Sequence, residues 1–287
     1  MSKEQVTTSK ERVAMSKDSD ETPPVIGIFQ EVVRLGEVLD LSHEISSSTP
    51  VFPFHAPYSL ALHRRHGDTV RPGNASFANE VLIMPGHLST HIDALGHFSK
   101  EGLVYGDVSA KDIETHDGLN ALDISITPPI WRRGVLLDVA RLRGVDCMEV
   151  GDGIDDEDLA ACERATGVTV REDDVVVIRT GWSRHWLDRD RFNGLDGGYP
   201  GVTPDGARWL IDRKVAMVAS DTPAFEVAPS TGVSVHAMLL VDNAINILEN
   251  LNLEEVSARR VSQFLFVGLP LRLVGATASP LRPIAVV

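Results

Sequence analysis

Apolar and polar positions change their spacing along the chain. In the early half the apolar residues come in short runs bounded by turn residues: "EVLDLS" around Leu39, "YSLALHR" around Leu60 and "NEVLIMP" around Leu82 each read as a strand. The second half alternates strands with helices. Strand-like "GVLLDVA" near Leu137 precedes "IDDEDLAACERATG", where acidic residues crowd the first turn of a predicted helix and Gly167 stands at its C-terminal stop. "DVVVIRTG" resumes as a strand. In "TPDGARWLIDRK", Thr203 as N-cap and Pro204 at the first helical position mark a second helix, and "VAMVAS" after Val215 reads as a short buried strand. "LEEVSARR" adds a helix and "QFLFVGLPLRLV" strand material. The pattern is that of an α/β protein.

Residues 1–24, "MSKEQVTTSKERVAMSKDSDETPP", are polar throughout and lack the apolar stretch of a secretory signal. Such a segment buries too little apolar surface to offset its ordering entropy, so a disordered tail is expected, and Met15 in a second "MSK" is an alternative start. No linker, low-complexity tract or repeat follows, so residues 25–287 are read as a single domain.

Composition narrows the function. The chain has 287 residues, 43% of them hydrophobic, and a net charge of −14 with no basic run, which excludes the phosphate-neutralising surface of a nucleic-acid binder. No apolar run reaches the ~18 residues of a membrane span. Only Cys147 and Cys162 occur, without metal-type spacing, so neither a disulfide framework nor a cysteine zinc site is expected, and a cytoplasmic location is the default.

The chemistry concentrates in "HLSTHIDALGH", which places His87, His91, Asp93 and His97 within eleven residues. On one straight helix these four groups point in two separate directions. On a strand they share a face, but ten residues of strand span about 33 Å, too far for the ligands of one ion. The segment must bend. Gly86 and Gly96 bracket it, and Thr90 to Asp93 has the spacing of a capping box, so a strand feeding a tight turn into a short helix is predicted, with His97 one turn further on. Such convergence suits a metal ion, since imidazole and carboxylate together hold Zn²⁺ or Mn²⁺ and two or three protein ligands leave a position for water. The alternative is a set of satisfied polar histidines and a Thr/Asp cap. His55, His63, His66, His116 and His185 lack such company and are assigned to the surface. Glu249 follows the apolar run "AINIL", where a charge needs a partner or a metal, or else begins a helix ahead of "NLNLEEV". His236, between Val235 and Ala237, is open in the same way.

At this point the sequence resembles the cyclase family of metal-dependent hydrolases, whose H-x-G-T-H-x-D-x-P-x-H pattern stands here as "HLSTHIDALGH", with Ser89 at the usual Gly and Leu95 at the usual Pro. "DLSHEISSSTPVFP", "GYPGVTPDGARWL", "SDTPAFE" and "VHAMLLVDNAINILENLNLEEV" match further family segments in order, over roughly residues 37–270. The resemblance implies a single α/β domain with a mixed, barrel-like sheet and surrounding helices, the swivelling β/β/α fold. It implies His87, His91 and Asp93 as ligands of a first metal. In two-metal members Asp93 would bridge to a second ion on His97, His236 and Glu249; in one-metal members His97 would instead transfer protons. Phe52 and Phe54 match a pocket-lining aromatic region, with plain core packing as the alternative.

The expected activity is therefore metal-assisted hydrolysis of a small aromatic or cyclic amide, lactam or lactone, with His97 or Glu249 shuttling the proton. One or two Zn²⁺ or Mn²⁺ ions are expected and no organic cofactor, since no Gly-rich phosphate loop appears. N-formylkynurenine is the second substrate expectation. Metal-assisted dehydration and a non-catalytic metal protein of the same fold stay open. Ser183 in "TGWSRH" lacks a nucleophile-elbow pattern, which sets a serine mechanism aside. The expected partners are a small-molecule substrate and further copies of the chain, as a homodimer or homotetramer on the resemblance alone, with neither nucleic acid nor membrane.

Overall fold

The computed structural model describes residues 24–230 and 232–287, so all but the last residue of the expected tail lies outside the described residues. Pro24–Leu35 forms a helix, α1, that the sequence pattern did not single out. The chain divides after Gly36, and Glu37–Val287 is the larger unit.

The apolar runs of this unit become strands, joined in the main sheet by four short strands that the pattern did not place, at 91–93, 246–249, 278–280 and 284–286. They are β1 (Val38–Asp40), β2 (Ser59–Arg64), β3 (Asn79–Ile83), β4 (His91–Asp93), β5 (Ile130–Asp138), β6 (Val175–Arg179), β7 (Met217–Ser220), β8 (Asn246–Glu249), β9 (Gln263–Gly268), β10 (Ala278–Pro280) and β11 (Ile284–Val286). Nine of them form one sheet in the order β1-β11-β9-β5-β6-β7-β8-β4-β10. The central strands β5 to β8 run parallel, whereas β4 is antiparallel to both β8 and β10. The sheet curls into a half-barrel with helices around it, the mixed α/β architecture expected for a single domain. "QFLFVGLPLRLV" is strand only as far as Gly268. Pro270 cannot donate to a ladder, which fits the strand ending there.

Alternation along the strands explains why the run Val175–Ile178 is apolar at every position. On β6, Val176 and Ile178 join one core cluster and Val175 and Val177 the other, so both faces are covered. The first cluster is closed by α2 (Asp156–Thr166) through Leu159 and Cys162, and by a later helix, Pro204–Asp212, through Ala207 and Leu210. α2 starts with a capping box between Asp155 and Asp158 and ends on Gly167 at φ +70°, where only glycine is at ease. In the later helix the Thr203 side chain accepts from Gly206 N and Pro204 occupies the first turn, as the sequence predicts. Between the two lies a single turn, α3 (Arg189–Phe192).

Strands β2 and β3 pair with each other alone, and the resulting hairpin is exposed on both faces, Leu60, Leu62, Val81 and Ile83 included. It joins the segment that carries Phe52 to the segment that carries His87. Among the described residues, no helix is long and apolar enough to cross a membrane.

Candidate metal centre

The segment from His87 to His97 bends as its side chains require, by a different route from the one its spacing suggests. No helix follows the turn: the segment is turn, strand β4 and turn again. The bend sits at Ser89, whose φ of +56° is the left-handed conformation a glycine would adopt without strain. Ser89 Oγ donates to the His43 carbonyl. Gly86 and Gly96 serve packing instead, since a Cβ on Gly86 would meet Ala278 O at 2.8 Å and one on Gly96 would meet Leu122 O at 2.9 Å. Thr90 is no cap either. Its hydroxyl donates to the Asn250 carbonyl and accepts from His43 N, stitching this turn to the end of β8.

On β4, His91 and Asp93 project from one face while Ile92 enters the core behind. The antiparallel register then supplies what local sequence cannot: Glu249, the last residue of β8, is the direct partner of His91. Glu249 ends a strand and begins no helix, so of its two readings the buried carboxylate stands. His236 immediately precedes a π-helix, Ala237–Val241, and is held from behind by Glu226. One Glu226 oxygen accepts from the backbone N–H groups of Val235 and His236, and the other lies 3.4 Å from His236 Nδ1.

These elements bring all six candidate ligands together. Asp93 Oδ1 is the common vertex, 3.2 Å from His87 Nε2 and 3.5 Å from His91 Nε2. Glu249 Oε2 lies 3.3 Å from His91 Nε2, and its Oε1 lies 3.1 Å from His236 Nε2. His236 Nε2 is 3.8 Å from Asp93 Oδ2. His97 reaches the group through His87, with its Nδ1 3.1 Å from His87 Nε2. Two compact triads share Asp93: His87, Asp93 and His97 in one, and His91, Asp93 and Glu249 in the other. The grouping differs from the family-derived one, which placed His97 with His236 and Glu249.

The donor set fits a divalent cation. Asp93 is fully buried and Glu249 nearly so, and no lysine or arginine lines the cavity that Glu249 and the site histidines border. His91 Nε2 and both Asp93 carboxylate oxygens are buried without a hydrogen-bond partner among the described residues. Such orphaned groups cost several kcal/mol unless a charge satisfies them. Imidazole nitrogen with carboxylate oxygen is the donor chemistry of Zn²⁺ and Mn²⁺. The His91 tautomer is set for this, because its Nδ1 bonds the Ser89 carbonyl at 2.8 Å and leaves Nε2 facing the carboxylates.

Charges in the cluster polarise one another. Burial opposes ionisation of Asp93, but the charge of His97, the bond and charge of His87 and the charge of His91 hold its carboxyl well below the usual range. Glu249 is also lowered: burial and the Asp93 charge oppose its ionisation, and His236 and His91 overcome them. His91 is raised despite its burial, chiefly by Glu249 and Asp93. His236 is raised well above the ordinary value because Glu226 and Glu249 outweigh its burial. His97 differs. Burial, with help from His87 and His236 and against the Asp93 charge, pushes it down to about 4.

A cavity of about 240 Å³ opens onto this centre, walled by Phe52, Phe98 and Phe192 together with the site histidines. Phe52 therefore stands where the family region suggests. Phe54 does not: it is 90% exposed and outside the cavity wall. His63, His66 and His116 are exposed as assigned, whereas His185 is half-buried against Trp182. His55 was assigned to the surface and instead lines the cavity, its ring 5.1 Å from that of His87. Sequence reasoning also passed over Glu226 and Asn250. The Asn250 Nδ2 group donates to the Ser89 carbonyl and fixes the bend beside His91. Both residues lie within segments that match the family, but nothing in their spacing marks them.

Comparison with known proteins identifies the family. The model of the putative cyclase family matches residues 39–227. The chain is 28% identical over 245 residues to the kynurenine formamidase of Paracidovorax citrulli (strain AAC00-1), covering 85% of this chain and 94% of that one. It is 27% identical to cyclase-like protein 2 of Arabidopsis thaliana, over 93% of this chain and 85% of the relative. Among solved structures, one described as a novel cyclase superposes with a TM-score of 0.82 at 28% identity, covering 92% of this chain and 93% of that one. Isatin hydrolase A from Ralstonia solanacearum shares the fold, with a TM-score of 0.70 at 20% identity over 94% and 99% of the two chains. The family model spans more than half of the 287 residues, and its matched region carries the bent histidine segment and Glu226, so the chain belongs to the cyclase family.

Proposed function

We propose that the protein is a metal-dependent hydrolase that opens or cleaves the C–N bond of a small aromatic or cyclic amide. One observation carries the reading: two buried carboxylates and four imidazoles converge, with orphaned donor atoms, on the floor of a cavity of about 240 Å³ walled by phenylalanines. A purely structural zinc site is usually closed and rich in cysteine, and this one is neither. The kynurenine formamidase and isatin hydrolase relatives act on such bonds by their names, which supports the class and leaves the individual substrate open.

His87, His91 and Asp93 would hold the first ion, with Glu249 and His236 as further candidate ligands. A bound divalent ion supplies a Lewis acid for the carbonyl and lowers the pKa of water to about 7. The chain's own residues supply orientation and proton transfer. Both Glu249 oxygens are engaged, by His91 on one side and by His236 and Phe225 N on the other, so Glu249 is a holding group. Proton transfer falls to His97, which burial keeps neutral at pH 7 and therefore able to accept. In the reaction the water oxygen bonds to the carbonyl carbon, the C–N bond breaks, and His97 passes the proton to the leaving nitrogen. Phe52 and Phe98 provide aromatic faces for the substrate ring.

The decisive experiment measures metal content and hydrolysis together, with an aryl formamide and a cyclic amide as substrates. One or two equivalents of Zn or Mn, rates abolished by a chelator and restored by metal, and a lowered Tm in the stripped protein are expected. Full turnover by metal-free protein would overturn the mechanism. Metal binding with thermal stabilisation and no hydrolysis of either substrate would favour the non-catalytic reading. In the same assay Phe52→Ala should raise KM roughly tenfold while metal content stays constant. An unchanged KM would return Phe52 to loop packing.

A further inference from the structure

A second recess, of about 280 Å³, adjoins the catalytic cavity, with Phe52 and His55 lining both. Thr49, Tyr58 and Arg189 line its outer part, and Arg189 is the sole charged residue in its wall. The guanidinium is anchored: Nε donates to the Ser48 carbonyl at 3.1 Å and one terminal nitrogen donates to the Ser47 carbonyl. Its other terminal nitrogen, Nη1, makes no hydrogen bond among the described residues. Nor does any carboxylate there come within 4.0 Å of Arg189, although Asp188 and Asp190 flank it in sequence. Arg133, Arg143, Arg179, Arg213 and Arg259 each have such a partner.

We propose that this recess binds the carboxylate of an acidic arm on the substrate, with Arg189 as its cation and the Tyr58 hydroxyl as a second donor. The inference rests on the amide-hydrolase reading for the word substrate, and adds that substrates with a carboxylate arm are preferred over neutral ones. A guanidinium already tied down at two nitrogens loses little side-chain freedom on meeting an anion, and its planar fork matches carboxylate geometry. One cation in a recess of this size balances a single negative charge, which suits a carboxylate better than a phosphate. The competing explanation is that Arg189 only staples the loop at Ser47 and Ser48, beneath Phe52. That role would change affinity for charged and neutral ligands alike.

The test compares 4-phenylbutyrate with its primary amide by calorimetry on the metal-loaded full chain. Wild type should bind the carboxylate about five- to tenfold more tightly, the range for a partly exposed charge-assisted pair. Arg189→Met should bring the ratio to about one at unchanged metal content, and Arg189→Lys should keep part of it. A preference that survives in Arg189→Met would place the carboxylate on the metal centre, and equal binding by wild type would mean no acid recess; either overturns the proposal. Turnover is then compared for aryl formamides with and without the acidic arm. If neither is hydrolysed while the binding ratio still follows Arg189, the hydrolase reading fails and the recess stands.

Discussion

Asp93→Asn is expected to lose metal and activity together. The side chain is fully buried, and its Oδ1 is the point on which His87 and His91 converge. Both candidate triads include it. Asparagine has nearly the same shape but no charge and only one acceptor oxygen, so neither triad keeps its ligand set. Elemental analysis should find less than about a tenth of the wild-type metal, and kcat should fall about 10³-fold or more, matching the several kcal/mol a metal Lewis acid supplies. Folding should survive the change. Asn246 Nδ2 bonds the Asp93 backbone carbonyl at 2.7 Å and is indifferent to the side chain, so the variant should melt near the temperature of the metal-stripped wild type. Wild-type stoichiometry and turnover in Asp93→Asn would refute the site assignment.

His97→Asn should separate chemistry from metal binding. His97 makes no ion pair with Asp93 within 4.0 Å, unlike His87, His91 and His236, and touches the cluster through His87. Its neutral form at pH 7 is what a proton acceptor needs. The expected result is a kcat lowered by about 10²- to 10⁴-fold, the usual contribution of a positioned acid or base, with metal content near wild type. Loss of an equivalent of metal would instead make His97 a ligand with His87 and Asp93, and proton transfer would need another carrier.

Local chemistry made much of the molecule legible before any coordinates. The apolar runs of β5 to β7, the acidic start and glycine stop of α2, and the Thr203–Pro204 helix start are decided by neighbours in sequence, through the period of the backbone and the caps it demands. The site residues of "HLSTHIDALGH" were legible as a candidate cluster because four metal-type side chains within eleven residues need only a local bend to meet. Their local shape was not. The sequence pointed to glycine bends and a helix, whereas the tertiary contacts of Thr90 with Asn250 and of Ser89 with His43 hold Ser89 left-handed and keep the chain extended afterwards.

The remaining groups were decided by tertiary structure. Glu249 meets His91 because β8 pairs with β4 in a register that no spacing along the chain encodes. Glu226 acts on His236, His55 stands beside His87, and Arg189 lines a recess with Phe52 because loops from distant parts of the chain meet there. Phe52 and Phe54, two residues apart and alike in sequence, are separated in the same way, one into the cavity wall and one into solvent. Sequence by itself determined which elements form and which residue types carry the chemistry, because both depend on local period and side-chain identity. Only the tertiary structure decided which of those residues meet, because strand register and loop closure are set by the packing of the whole core.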